Sequence, residues 1–104
     1  ELKKGLLAVR PETLRRHGAV SRECCREMAD GIRRRTGCSL GLSVTGIAGP
    51  AGGAPSKPVG LVYIGVAGPV ARTTVHELRL SGDRGFIRAR AATRALQLSL
   101  QAAR

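Results

Sequence analysis

Apolar and polar positions alternate along this chain with two different periods. Over residues 22–36 the apolar positions Cys25, Met28, Ala29 and Ile32 recur at helical spacing among arginines and glutamates. Ser21 stands where an N-cap belongs, Gly37 where a helix stops, and Arg33, Arg34 and Arg35 suit the negative end of the helix dipole. This predicts a helix over 22–36. Ahead of it, residues 1–9, with Leu2, Leu6 and Leu7, read as a helix end or a helix-to-turn transition. Pro11-Glu12-Thr13-Leu14 opens a short helical turn that Gly18 ends. Residues 39–45 and 59–67 are nearly charge-free apolar runs and predict buried strands. Residues 71–80 place Val75, Leu78 and Leu80 among Thr, His, Glu and Arg, which predicts a half-exposed strand paired to its predecessor across Gly68-Pro69. Asp83 caps a final helix over 84–103. Its apolar stripe is Ile87, Ala91, Ala95, Leu98 and Ala102, supplemented by Leu96 and Leu100. The order helix, strand, long loop, strand, strand, helix predicts a single α/β domain over 1–104. Its expected architecture is a three-layer α/β/α sandwich, and the hairpin makes the central sheet mixed rather than purely parallel.

The densest local signal lies between the first two strands. Thr45-Gly46-Ile47-Ala48-Gly49-Pro50-Ala51-Gly52-Gly53 leaves the end of one apolar run, and Lys57-Pro58-Val59-Gly60 enters the next. A glycine-rich turn at a strand end lets backbone N–H groups approach an anion, and ligands of open α/β sheets sit at such ends. The same residues also serve as turn formers in a plain connection between strands. Neither common nucleotide loop fits. Gly53 is followed by Ala54 rather than Lys, and the spacing Gly46-x-x-Gly49-x-x-Gly52 is not that of a dinucleotide fingerprint.

This signature, continued through Leu61-Val62-Tyr63-Ile64-Gly65, resembles the centre of the CinA C-terminal domain family, which contains the bacterial nicotinamide-nucleotide amidases. His17-Gly18-Ala19-Val20-Ser21 with Met28-Ala29, and Ser81-Gly82-Asp83-Arg84 with the Arg- and Ala-rich helix after it, resemble the family's flanking segments. The resemblance runs over essentially the whole chain. It implies hydrolysis of nicotinamide mononucleotide to nicotinic acid mononucleotide and ammonia, a cytoplasmic reaction of the pyridine-nucleotide cycle, without a cofactor. It also implies that the family domain opens upstream of Glu1, with a strand, a helix and a Glu-Ser-Cys-Thr-Gly-Gly motif carrying the nucleophile. The chain is therefore expected to be incomplete at its N-terminus and inactive alone. Lys3 falls on the lysine of the family's Tyr-Ser-Asn-x-x-Lys motif.

The formal net charge of +11 raises a nucleic-acid reading. Nearly all of it is arginine, clustered at Arg15-Arg16, Arg33-Arg34-Arg35 and along the last helix at Arg84, Arg88, Arg90 and Arg94. Single-strand binders interleave such charge with stacking aromatics, whereas Tyr63 and Phe86 are the only aromatic residues. Solvated helix faces are the favoured reading, and any one arginine could grip a phosphate. Cys24, Cys25 and Cys38 form no Cys-x-x-Cys and lie at no ligand spacing from His17 or His76, so no metal site and reduced thiols are expected. No run of 18 apolar residues or signal segment is present, and no membrane role is expected.

Amide hydrolysis needs a nucleophile, a proton shuttle and oxyanion stabilisation. Lys3 is the candidate base by motif position. Thr45 can project its hydroxyl from the strand end to orient substrate or nucleophile, or else bond its own loop. The amides of Gly46, Ile47, Gly49, Gly52 and Gly53 are candidates to hold the nucleotide phosphate or ribose, with Lys57 as a further contact or as a solvated lysine. Ser21 reads as a cap rather than a nucleophile. A homo-oligomer is expected. Two other classes stay open: a non-catalytic interaction domain, and an RNA-binding module suggested by Gly46-Ile47-Ala48-Gly49, whose clamp belongs between helices.

Overall fold

A computed structural model describes residues 9–47, 58–68 and 72–102 of the 104-residue chain. They form α1 (Pro11–His17), α2 (Arg22–Thr36), β1 (Gly41–Gly46), β2 (Leu61–Ala67), β3 (Thr74–Arg79) and α3 (Arg84–Ala102), in the expected order. The strands form one sheet, β1-β2-β3, and both described pairings are antiparallel. The register sets Ser43 opposite Gly65 and Val44 opposite Ile64 on β2, and Ile64 opposite His76 on β3. Side chains alternate across a sheet, so Gly41, Ser43 and Thr45 share one face with Gly65, while Leu42 and Val44 share the other with Val62, Ile64 and Val66. Helix α2 covers the first face and α3 the second, which gives the α/β/α layering.

The two faces are built differently. On the α3 side Val62, Ile64 and Val66 pack with Ile87, Ala91, Ala95 and Leu98, and Leu40, Leu42, Leu78, Leu80 and Ala102 close the margin. The α2 side is lined by small residues, so the helix comes close. A Cβ added at Gly41 would stand 2.5 Å from the Ala29 carbonyl oxygen, and one at Gly65 would stand 2.8 Å from the Cys25 carbonyl oxygen. Ser43 fills the space between them. Its buried hydroxyl donates to the Cys25 carbonyl at 2.6 Å and lies 3.2 Å from the Cys25 Sγ. Burial pushes the Cys25 thiol up, and the hydrogen bond with Ser43 offsets part of that rise.

The helix ends follow the sequence. Ser21 accepts from the Cys24 N–H at 3.2 Å and is buried, so its hydroxyl is a cap. Gly37 takes the left-handed conformation (φ +71°) and donates to the Arg33 carbonyl at 3.0 Å. Asp83 accepts from the Phe86 N–H at 2.8 Å. The strands start about two residues later than their apolar runs. The Ser39 carbonyl accepts from the Arg33 guanidinium in the turn after α2, and Leu61 N–H bonds the Pro58 carbonyl across a turn at Gly60. The expected stripe of α3 is corrected at two positions. Leu96 and Leu100 do not supplement the core stripe but lie on the outer face, 61% and 58% exposed.

Helix α1 is tied to α2 through two carboxylates, Glu23, which lies 3.6 Å from His17 Nδ1, and Glu27. Glu27 accepts from the Thr13 hydroxyl at 2.5 Å, from the Arg10 N–H at 2.8 Å and from the Arg10 guanidinium at 3.0 Å. Partial burial raises the Glu27 carboxyl, but these bonds outweigh it and hold the group below its ordinary value. Among the described residues no helix is long and apolar enough to cross a membrane.

Two outcomes are expected. Gly65→Ala forces α2 off the sheet and destabilises the domain by about 1–3 kcal/mol in urea unfolding. A depressed carboxyl stabilises the fold above its unfolded pKa, and that stability is lost as pH falls through the folded value. Stability therefore declines on the acid side of the usual carboxylate range, and Glu27→Gln flattens that decline in denaturation curves taken across pH.

Candidate functional site

The end of β1 gathers what the chain offers to a ligand. Thr45 is the last side chain of β1 on the α2 face, and its hydroxyl donates to the Ala19 carbonyl at 3.0 Å. Ala19 lies in the turn between α1 and α2, next to the capped end of α2. The threonine joins the strand end to the start of α2. Gly46 follows, where an added Cβ would come within 2.9 Å of the Leu61 carbonyl oxygen, so only glycine lets β1 stay paired to β2 here. Ile47 N–H donates to the Leu61 carbonyl at 3.0 Å, and Gly60 N–H donates to the Ile47 carbonyl at 2.7 Å. These bonds pinch together the two ends of the glycine-rich connection. Of the sequence-derived candidates, Thr45, Gly46 and Ile47 are thus placed side by side. Lys3, Gly49, Gly52, Gly53 and Lys57 lie outside the described residues.

A cavity of about 430 Å³ opens beside Gly46 on the opposite face of the sheet from Thr45. Val44, Val62, Ile87, Ala91 and Ala92 give it an apolar wall, and Arg84 and Arg88 line it from the first turns of α3. No carboxylate among the described residues pairs with either arginine; the ion pairs there involve Arg10, Arg22, Arg79 and His17. Two free guanidiniums one helical turn apart suit a phosphate or carboxylate group. Burial, then Arg94 and Arg22, lowers the pKa of His76. Sequence reading placed Arg84 and Arg88 on the last helix but had no means of separating them from the other arginines. Their spacing of four and their place just after the Asp83 cap were the available signals. Among the described residues no group of three His, Cys, Asp or Glu side chains could hold a metal ion.

Comparison with known proteins matches the CinA C-terminal domain over residues 1–103. This chain belongs to the CinA C-terminal domain family. It is 51% identical over 98 residues to a putative competence-damage inducible protein of Thermoanaerobacter pseudethanolicus, covering 94% of this chain and 24% of that protein. It is 54% identical over 96 residues to a CinA-like protein of Kosmotoga olearia, covering 92% and 23%. The chain thus spans about a quarter of the length of these relatives. Among solved structures, the competence/damage-inducible protein CihA of Agrobacterium tumefaciens superposes with a TM-score of 0.91 at 37% identity, covering 98% of this chain and 62% of that one. A CinA superfamily protein of Escherichia coli superposes at 0.85 with 30% identity, covering 95% and 57%. A CinA-family chain thus pinches its glycine signature between β1 and β2 and sets two free arginines beside it.

Thr45→Val removes the bond to Ala19, whose exposed carbonyl then turns to water. We expect a loss of about 1 kcal/mol in urea unfolding, with Thr45→Ser retaining most of the stability.

Proposed function

We propose that this chain is the nucleotide-holding part of an amidase that hydrolyses nicotinamide mononucleotide to nicotinic acid mononucleotide and ammonia. The observation that supports the reading is the cavity beside Gly46, lined by Arg84 and Arg88, where the glycine signature leaves β1 in a chain of the CinA C-terminal domain family, with the Thr45 hydroxyl on the other face of the same strand end. The substrate has one phosphate, one ribose and a flat, positively charged pyridinium ring bearing the carboxamide. In this reading Arg84 and Arg88 grip the phosphate. The amides of Gly46, Ile47, Gly49, Gly52 and Gly53, with Lys57, hold ribose and phosphate oxygens.

The chemistry is acyl transfer. A serine oxygen attacks the carboxamide carbon, and a base takes its proton. The tetrahedral intermediate collapses by breaking the C–N bond as the proton passes to the departing nitrogen, which leaves as ammonia. Water then cleaves the acyl-enzyme and returns the serine. Lys3 is the proposed proton shuttle, and Thr45 is the proposed orienting hydroxyl, fixed by its bond to Ala19. The Glu-Ser-Cys-Thr-Gly-Gly motif that would carry the nucleophile does not occur within these 104 residues. The active unit is therefore proposed to be this chain joined to a segment bearing that motif, working in the cytoplasm where the nucleotide pool lies.

The test is ammonia release from nicotinamide mononucleotide by the chain alone and by the chain joined to such a segment. Only the joined form should turn over. In it, Lys3→Ala should lower kcat by about 100-fold or more, as expected for loss of a proton shuttle. Arg84→Ala with Arg88→Ala should chiefly raise KM, because the phosphate is held equally in ground and transition states. Robust turnover by the 104-residue chain, insensitive to these changes, would overturn the reading.

A further inference from the structure

Thr45 begins a row of side chains that crosses the sheet. The register sets it opposite Tyr63 on β2, and Tyr63 opposite Glu77 on β3. Alternation along the strands puts all three on the α2 face. Arg22, the first residue of α2, reaches over this row. Its guanidinium donates to the Val75 carbonyl at 3.2 Å and to Glu77 at 3.4 Å, and lies over the Tyr63 ring at 5.7 Å from the centroid. Glu77 accepts in turn from Arg79 at 3.0 Å. A planar guanidinium with five donors can meet a carbonyl, a carboxylate and a ring face together, which an ammonium cannot.

The place of this contact matters more than its strength, since a half-exposed ion pair contributes little to stability. The start of α2 meets all three strands. On the β1 side the Ala19 carbonyl accepts from Thr45. One helical turn further on, the Cys25 carbonyl accepts from Ser43. On the β3 side Arg22 makes the contact. Without Arg22, the start of α2 is free to swing along the sheet about the Ser43 contact, and Ala19 moves with it. The Thr45–Ala19 bond is 3.0 Å long, and such bonds fade beyond about 3.2 Å, so a displacement of about 1 Å breaks it. The Thr45 hydroxyl then turns freely about its Cα–Cβ bond.

We propose that Arg22 is a positioning residue: by gripping Val75, Glu77 and Tyr63 it holds the start of α2, and through Ala19 it fixes the Thr45 hydroxyl for the hydrolytic step. This rests on the amidase reading, which gives Thr45 its orienting role. Arg22 touches no reacting atom in that reading. Substrate binding belongs there to α3 and the glycine signature, so the loss of Arg22 acts on kcat through Thr45 and leaves KM alone.

Two measurements separate the tether from the chemistry. The first is the carbonyl carbon resonance of Ala19 in the isotopically labelled 104-residue chain, which reports the hydrogen bond that this carbonyl accepts. Arg22→Met should move it toward its position in Thr45→Val. Arg22→Lys, which keeps the charge without the fork, should move it the same way by less, and serves as the probe if Arg22→Met does not fold. Arg34→Met, which removes a charge from the exposed far end of α2, should leave it in place. The second is turnover of nicotinamide mononucleotide by the chain joined to the segment bearing the nucleophile. Arg22→Met should lower kcat about 10-fold with KM within about twofold of the parent. In a Thr45→Val background it should lower kcat no further, because two changes that act through one contact are not additive. An Ala19 resonance unmoved by Arg22→Met and Arg22→Lys would overturn the proposal. So would a moved resonance with kcat unchanged, or a loss of kcat just as large in the Thr45→Val background. A joined parent form without turnover would overturn the amidase reading and the hydrolytic role of Arg22 with it; the Ala19 resonance, read on the chain alone, tells that failure from a failure of the tether.

Discussion

Everything at the end of β1 depends on how closely α2 lies on the sheet. Gly41 and Gly65 leave no room for a Cβ between strand and helix backbone, and Ser43 spans what gap remains by bonding the Cys25 carbonyl. A helix seated on ordinary β-branched residues would stand further off, at the usual sheet-packing distance. The close seat is what brings the capped start of α2, and the Ala19 carbonyl before it, within reach of Thr45. Arg22 secures the same end from the other side. It donates to the Val75 carbonyl, pairs with Glu77 and lies over the Tyr63 ring. The strand end is thus held from two elements before any ligand arrives, as a preorganised site requires.

The asymmetry of the sheet follows from the same arrangement. Small residues on one face bring α2 in, and large aliphatic residues on the other hold α3 away. At the end of β1 the wall between sheet and α3 falls back into the cavity beside Gly46. Its lining is apolar except for two arginines from the start of α3. Arg84 and Arg88 set positive charge over that apolar floor. An anionic, partly aromatic ligand fits such a place better than a neutral or cationic one.

Much of this was legible in the sequence, and the parts that were not share a cause. Ser21, Gly37 and Asp83 announce their helix ends because caps are local chemistry. The α/β order was readable from where charge is absent. Strand starts slipped because Leu40 and Val59 are apolar yet belong to turns, whose hydrogen bonds to Arg33 and across Gly60 no periodicity reveals. Leu96 and Leu100 read as core because two apolar stripes overlap in one helix, and only packing separates them. At the site, Thr45 was readable as a strand-end hydroxyl. Its partner Ala19 is a backbone carbonyl 26 residues away, which carries no side-chain signal. Arg84 and Arg88 were hidden in an arginine-rich composition until the fold set them against Gly46. Lys3 and the later signature glycines lie outside the described residues, and their roles are those proposed from the family resemblance.

The central claim is that the end of β1 and the start of α3 together hold a nucleotide phosphate. Amide chemical shifts of the isotopically labelled chain, titrated separately with nicotinamide mononucleotide and with nicotinamide riboside, test it most directly. The account predicts that the mononucleotide shifts Gly46, Ile47, Arg84 and Arg88, and that the riboside, lacking the phosphate, does so only at far higher concentration. Equal responses to both compounds, or shifts confined to residues away from the cavity, would contradict it.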